Sequence, residues 1–284
     1  MAENSYLRAV WRRFKRHKLA MVSLYFVLFV IFVSLLAPII APYHPNRITG
    51  DFGAPPGDGH LLGTDDVGRD VLSRLIYACR VSLMVGILAT LISTVIGVVL
   101  GLVSGFFGKL LDSIIMRFTD MVMSFPYLLL VLVAAAIFGP SLMNIIFILG
   151  FVNWPGIARL VRGNVLSLRE RAFVQGALVA GLPKPYILFS EILPNTMAPI
   201  LIHSSSVIAF SILDEAALSF LGMGVQTPTA SLGNMLGAAT SQAVLTNMPW
   251  IWVPPGIMIF LIVMSVNFIG DAIRDAFDPT NPLV

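Results

Sequence analysis

Five stretches of this chain contain no Asp, Glu, Lys or Arg at all: residues 19 to 46, 81 to 108, 121 to 158, 192 to 213 and 216 to 270. A helix rises about 1.5 Å per residue and a bilayer core is about 30 Å thick, so ~20 such residues make one crossing. Each stretch suffices for one crossing, and residues 121 to 158 suffice for two, with Gly139 and Pro140 supplying the turn. Residues 222 to 250 in the last stretch are rich in Gly, Ser, Thr, Asn and Pro, and read as a loop with a short re-entrant or interfacial helix. Six spans are predicted, near 19 to 41, 81 to 107, 119 to 138, 142 to 161, 196 to 220 and 250 to 271. Composition supports this reading. Of 284 residues, 57% are apolar and 12% charged, about half the ~25% of a globular chain, which excludes both a soluble fold and a disordered one. The one cysteine, Cys79, cannot form an internal disulfide, and no Cys/His spacing suits a structural zinc.

Orientation follows from the basic residues, since Lys and Arg in short loops resist translocation. Fourteen fall on one side: Arg8, Arg12, Arg13, Lys15, Arg16 and Lys18, then Lys109 and Arg117, then Arg159, Arg162, Arg169, Arg171 and Lys184, then Arg274. Arg47, Arg69, Arg74 and Arg80 fall on the other. Both termini are therefore expected in the cytoplasm. The first apolar run is longer than the roughly 7 to 15 residues of a signal-peptide core, so cleavage is not expected. Ala89, Ser93, Gly97, Gly101 and Gly105 recur every fourth residue and form a small-residue stripe along the second span, a packing surface for a helix of this bundle or of another chain.

Nothing in the sequence points to catalysis. Gly105 to Lys109 lacks the spacing and the following Ser or Thr of a phosphate-binding loop, and neither HExxH nor GxSxG occurs. His60, Asp65, Asp66 and Asp70 invite a metal reading. Thr64 or Asp65 can instead cap an amphipathic surface helix, with Val67, Val71, Leu72, Leu75 and Ile76 on one face and Arg69, Asp70, Ser73 and Arg74 opposite, and no metal site is expected. An ion-coupled carrier would place ionisable groups at mid-membrane. The candidates are Asp214 and Glu215, about five turns into the fifth span. Either they serve the pathway and its gate or they are merely neutralised inside the bundle.

Between spans four and five, the segment from Arg159 to Pro194 is long, basic and yet apolar in FVQGALVAGL, which suits a docking helix more than a solvated loop. Gln175, Gly176 and Ala177, then Gly181, then Ile192, Leu193 and Pro194 resemble the EAA motif of type I ABC importer permeases, with Gln175 and Gly176 in place of the motif's Glu and first Ala. Leu62 to Leu83, Asp112 to Pro126, Ser219 to Leu236, Asn267 to Pro279 and the basic start WRRFKRHKLA are similar to the OppC/DppC-type permeases of peptide ABC importers.

That resemblance implies an all-α membrane permease of six transmembrane helices. Residues 1–80 would be an N-terminal segment with the first span and an extracytoplasmic loop. Residues 81–275 would be a five-helix permease core with its coupling helix near 172–185, and residues 276–284 a cytoplasmic tail. The implied partners are an OppB/DppB-type permease, two ABC ATPase subunits, an extracytoplasmic peptide-binding protein and membrane lipid, with no nucleic acid. No cofactor is expected on this chain, ATP and magnesium being bound by the ATPases. Nickel, glutathione and oligosaccharide importers use similar permeases. In the same pattern, Glu215 is expected to face the bundle and hold the loop after Gly222, and Asp214 to meet a peptide's amino group.

Overall fold

The computed structural model describes residues 10–57 and 59–277; Arg8 of the basic cluster, Pro279 and the tail from residue 278 lie outside the described residues. Helices dominate. After a helical stretch over residues 10–16 come α1 (Lys18–Leu35), α2 (Val71–Phe107), α3 (Lys109–Ser124), α4 (Tyr127–Phe138), α5 (Leu142–Arg169), α6 (Ala172–Val179), α7 (Leu193–Phe220), α8 (Leu232–Gly237) and α9 (Pro249–Phe277). Five helices, with α7 extended back to Lys184, are long and apolar enough to cross a membrane, and α3 with α4 supplies the sixth crossing as a bent pair.

The third span is therefore not the straight helix over 119 to 138 that its apolarity predicts. Its two halves meet at 87°. The cause is Pro126, whose ring forces the preceding residue out of helical geometry: Phe125 sits at φ −85°, ψ 141°. Twelve residues of α4 reach only ~18 Å, short of a bilayer core, so α3 and α4 must share the crossing. They have to make it, because α2 and α5 run parallel and the chain must return between them. That parallel packing explains the glycine stripe. A Cβ on Gly97 would stand 2.7 Å from Ile157 Cβ, on Gly101 2.7 Å from the Ala158 carbonyl oxygen, and on Gly105 2.7 Å from Val165 Cβ. The stripe's neighbour is thus in the same chain, and only hydrogen fits at the contact.

At 37 residues α2 is ~55 Å long and begins ten residues before the predicted span. The amphipathic helix expected over residues 64–76 forms only from Val71, as the first turns of α2. Gly63 and Gly68 adopt φ +73° and +83°, so residues 64–70 turn tightly and the helix starts only at Val71, capped by Asp70, which accepts from Ser73 N at 2.7 Å. Nor are the acids a solvated face. Asp65 accepts from Val67 N, Arg69 N and Arg69 Nε at 3.1, 2.8 and 2.7 Å, with Arg74 Nε at 3.6 Å, and His60 Nδ1 lies 2.8 Å from Asp70. Trp250 of α9 donates to the Thr64 carbonyl at 3.1 Å, joining this loop to the far end of the chain. The bundle thus has a loop end, built from residues 43–70 and 221–248, and a basic end, where α2, α5 and α9 finish.

Candidate functional site

Two places on the bundle gather the residues that sequence marks as functional. The first is the segment after α5 at the basic end. α6 is eight residues long and is stopped by a glycine: Gly181 takes φ +74°, its N–H donates to the Leu178 carbonyl at 3.1 Å, and Leu182 N donates to the Ala177 carbonyl at 3.1 Å. This paired closure needs a left-handed residue, so Gly181 acts as a helix terminator. Ahead of α7 the backbone widens into a π-turn over Ile187–Ile192, because Pro194 has no N–H to offer the carbonyl of Ser190.

One face of α6 is spoken for. Val174 and Ala177 are buried with Ile187, Leu188 and Ile192 against Leu102 and Phe106 of α2 and Val161 and Val165 of α5. The rest is bare: on α6 Phe173 is exposed and Val179 is 88% exposed, and just past its end Leu182 and Tyr186 are exposed. Of the residues taken from the EAA resemblance, Ala177 and Ile192 thus point into this chain's own core, Leu193 is half-buried, and Gln175, Gly176, Gly181 and Pro194 are exposed. The Gln175 side chain turns back, donating to the Arg169 carbonyl at 2.8 Å and closing the end of α5. A Cβ on Gly176 would meet nothing within 4 Å. The apolarity of FVQGALVAGL, residues 173–182, marks this segment in the sequence, but not which of its residues face outward.

α5 carries this segment rigidly to the bent pair. Arg162 grips Asp112 of α3 with Nε and Nη2 at 2.5 and 2.7 Å, Ser104 donates to the same carboxylate at 2.5 Å, and Arg159 reaches Asp120 at 2.7 Å. Asp112 and Asp120 stand about two turns apart on α3, so α3 is clamped to α5 along its length.

The second place lies at the corner of that pair, at Pro126. A cavity of about 370 Å³ lies elsewhere, between residues 10–16 and the end of α9; here, about 290 Å³ opens between the corner, α5 and α7, lined by Met123, Phe125, Tyr127, Asn153, His203 and Phe210. Gly156 makes room for His203, whose Nε2 would be 3.2 Å from a Cβ there. Tyr127 donates its hydroxyl to Asp214 at 2.5 Å and accepts from Asn153 Nδ2 at 3.4 Å. Aromatic walls with a few polar groups and a half-buried carboxylate behind them suit a small polar ligand with an apolar side chain.

Glu215 occupies a different environment from its neighbour. It is fully buried and accepts from Ser82 Oγ of α2 and Ser219 Oγ of α7, each at 2.7 Å. Those hydroxyls in turn accept from Leu232 N at 3.3 Å and Val225 N at 2.9 Å. The carboxylate therefore holds the segment after Gly222 at three points: through Ser219 to Val225, through Ser82 to Leu232, and by a direct hydrogen bond from the Ser231 side chain. A Cβ on Gly233 would lie 2.6 Å from the Ala216 carbonyl oxygen, so α8 sits directly on α7 at this point.

A broken third span, a small helix hung between spans four and five, and a loop cap tied to a buried glutamate make up a multi-span helical bundle with a short outlying helix at its basic end. The matches to known proteins give this bundle its family. Residues 97–281 match the family described as binding-protein-dependent transport system inner membrane component, and residues 5–56 match the N-terminal TM domain of oligopeptide transport permease C. The chain belongs to this family and is a multi-pass inner-membrane permease subunit. It is 47% identical over 280 residues to the dipeptide transport system permease protein DppC of Escherichia coli K12, covering 96% of this chain and 93% of that protein. A protein of the same name from Alkalihalophilus pseudofirmus is 39% identical over 278 residues, covering 96% and 89%. Among solved structures, the inward-facing MetNI methionine ABC transporter superposes with a TM-score of 0.59 at 16% identity, covering 73% of this chain and 98% of that one, which is a likeness of fold.

Proposed function

We propose that this chain forms half of the translocation pathway for di- or oligopeptides in an ATP-driven importer, paired with an OppB/DppB-type permease and fed by an extracytoplasmic peptide-binding protein. The observation that carries this reading is the bare apolar face of α6. Phe173, Val179, Leu182 and Tyr186 lie exposed on a segment that is otherwise packed into the bundle and that follows α5, itself clamped to α3. Such a patch at a bundle end calls for a protein partner, and two ABC ATPases, one on each permease, would supply it. ATP and magnesium are bound there and this chain is non-catalytic. Closure of the ATPases moves α6, α5 carries the motion to α3, and the corner around Tyr127 opens outward to receive peptide. The names of the 39 to 47% identical relatives support a peptide as cargo.

Both termini face the cytoplasm in this scheme. Cysteine placed at the exposed Ser241 is expected to react with an impermeant thiol reagent in spheroplasts, and cysteine at the exposed Arg171 only after permeabilisation. The decisive experiment is uptake in proteoliposomes. With the binding protein outside, the complete assembly should accumulate dipeptide only when ATP is enclosed in the lumen, on the ATPase face. Accumulation by this chain alone, with no ATPase, would replace the proposal with a self-sufficient secondary carrier.

A further inference from the structure

Where the chain enters the bundle, a second surface remains that transport does not use. Residues 10–16 form a short helix that ends at His17, in extended geometry at φ −80°, ψ 92°, before α1 begins at Lys18. Phe14 anchors it, buried with Ala20 of α1 and with Ala272 and Ala276 of α9. Beside this anchor runs the groove of about 370 Å³, whose walls include Trp11, Phe14, Leu24, Ile269, Ile273 and Phe277, and every lining residue is apolar.

Its rim is the opposite. Arg12, Arg13, Lys15, Arg16 and Lys18 fall within seven residues, and all but Arg13 are exposed. Lys15 Nζ stands over the Trp11 ring at 5.3 Å, and Trp11 stacks on Phe14 at 5.5 Å, so the indole is fixed between the groove and the charges. The acids facing this rim are Asp271 and Asp275, accompanied by Arg274; Asp275 lies 4.0 Å from His17 Nε2. Positive charge remains in clear excess. A helix with an indole at its edge, bases on one side and an apolar trough on the other has the design of an interfacial membrane helix.

We infer that this groove is a binding site for an anionic phospholipid, with one acyl chain lying in the trough and the phosphate held by Arg12, Lys15 and Arg16. Charge complementarity selects a lipid over an uncharged partner, because each basic residue near an anionic leaflet adds to the attraction. The dry walls select a lipid over a free phosphate, which would find no use for them. Bound there, the lipid joins the start of α1 to the end of α9.

The test uses the assembled importer in nanodiscs of phosphatidylcholine containing a minor share of phosphatidylglycerol, with bromine on the acyl chains of one lipid or the other. Subtracting the signal of Trp11→Phe isolates the quenching of Trp11. Brominated phosphatidylglycerol should quench it about fivefold more per bulk lipid than brominated phosphatidylcholine. In the Arg12→Gln, Lys15→Gln, Arg16→Gln variant the ratio should fall to about one, while Lys109→Gln with Arg117→Gln, equally exposed but on α3, should leave it unchanged. Equal quenching by the two lipids, or a preference that survives the triple change, would overturn the site. Shielding of Trp11 from both lipids would overturn it too, as it would mean that protein fills the groove.

Discussion

The loop end and the basic end of this bundle solve opposite problems. At the loop end, polar groups are buried and answered from within the chain. Arg74 is 3% exposed with Asp65 and the Pro45 carbonyl beside it, Asp70 serves both Ser73 and His60, and Glu215 reaches two loop segments through Ser82 and Ser219. At the basic end, apolar groups are left uncovered: Phe173, Val179, Leu182 and Tyr186 on the α6 segment have no partner surface among the described residues. A buried charge network is complete only when every member is present, whereas an exposed apolar patch loses nothing from its own fold when changed. The first kind of region should therefore fail by unfolding and the second by failing to assemble.

The largest effect is expected where the network is broken. Asp65→Ala removes the acceptor of Arg69 and two backbone N–H groups and leaves Arg74 buried beside no acid but the exposed Asp66. Stranding a buried charge costs roughly 3 to 5 kcal/mol, so the loop end should open. Hydrogen exchange over residues 43–76 should rise, and the yield of folded chain should fall, before any effect on ATPase binding can be measured. Protection equal to that of the unaltered chain would break the comparison.

A smaller and cleaner loss is expected at the other end. Val179→Asp changes an 88% exposed side chain, and the bundle should keep its thermal stability. Burying a valine in an interface contributes about 1.5 to 3 kcal/mol, so affinity for the ATPases should drop at least about tenfold. Ala177→Asp is the sharpening control. Ala177 packs into the bundle, so that variant should lose stability as well as assembly. Two variants two residues apart on one helix would then separate docking from folding.

Much of this was readable in the sequence because lipid tolerates so little. Runs free of charge fix where the spans lie, and a glycine every fourth residue reveals a close helix contact, here between α2 and α5. The break in the third span was also encoded, in Phe125-Pro126, but apolarity drowned it. Over residues 64–70 the apolar spacing extends the helix of 71–76 backward, whereas Gly63 and Gly68 at positive φ make a turn there. Periodicity is weak evidence when it competes with two glycines. What could not be read is which distant groups meet. Ser82 lies 133 residues from Glu215, and Tyr127 lies 87 from Asp214. Serines and tyrosines on apolar helices give no sign of their partners until the helices are packed.

The smallest effect is expected between the two ends, at Asp214. Its carboxylate accepts from Tyr127, which also lines the cavity at the Pro126 corner. Asp214→Asn keeps an oxygen for that hydroxyl and removes only the charge, so fold and assembly should be unaffected. Were the carboxylate fully buried, like Glu215, the change would be felt throughout the loop end; half-buried, it can act on what enters the cavity. A charge-assisted contact to a peptide's amino group, partly screened, contributes about 1 kcal/mol, or roughly fivefold. Uptake by the assembled importer should therefore need about fivefold more dipeptide for half-maximal rate, with the maximal rate unchanged. A dipeptide blocked by N-acetylation should show no such difference between the two proteins. Tyr127→Phe frees the same carboxylate and should shift uptake in the opposite direction. If Asp214→Asn transports free and acetylated peptides as the unaltered chain does, the pair is a structural tie between α4 and α7, and substrate is read elsewhere.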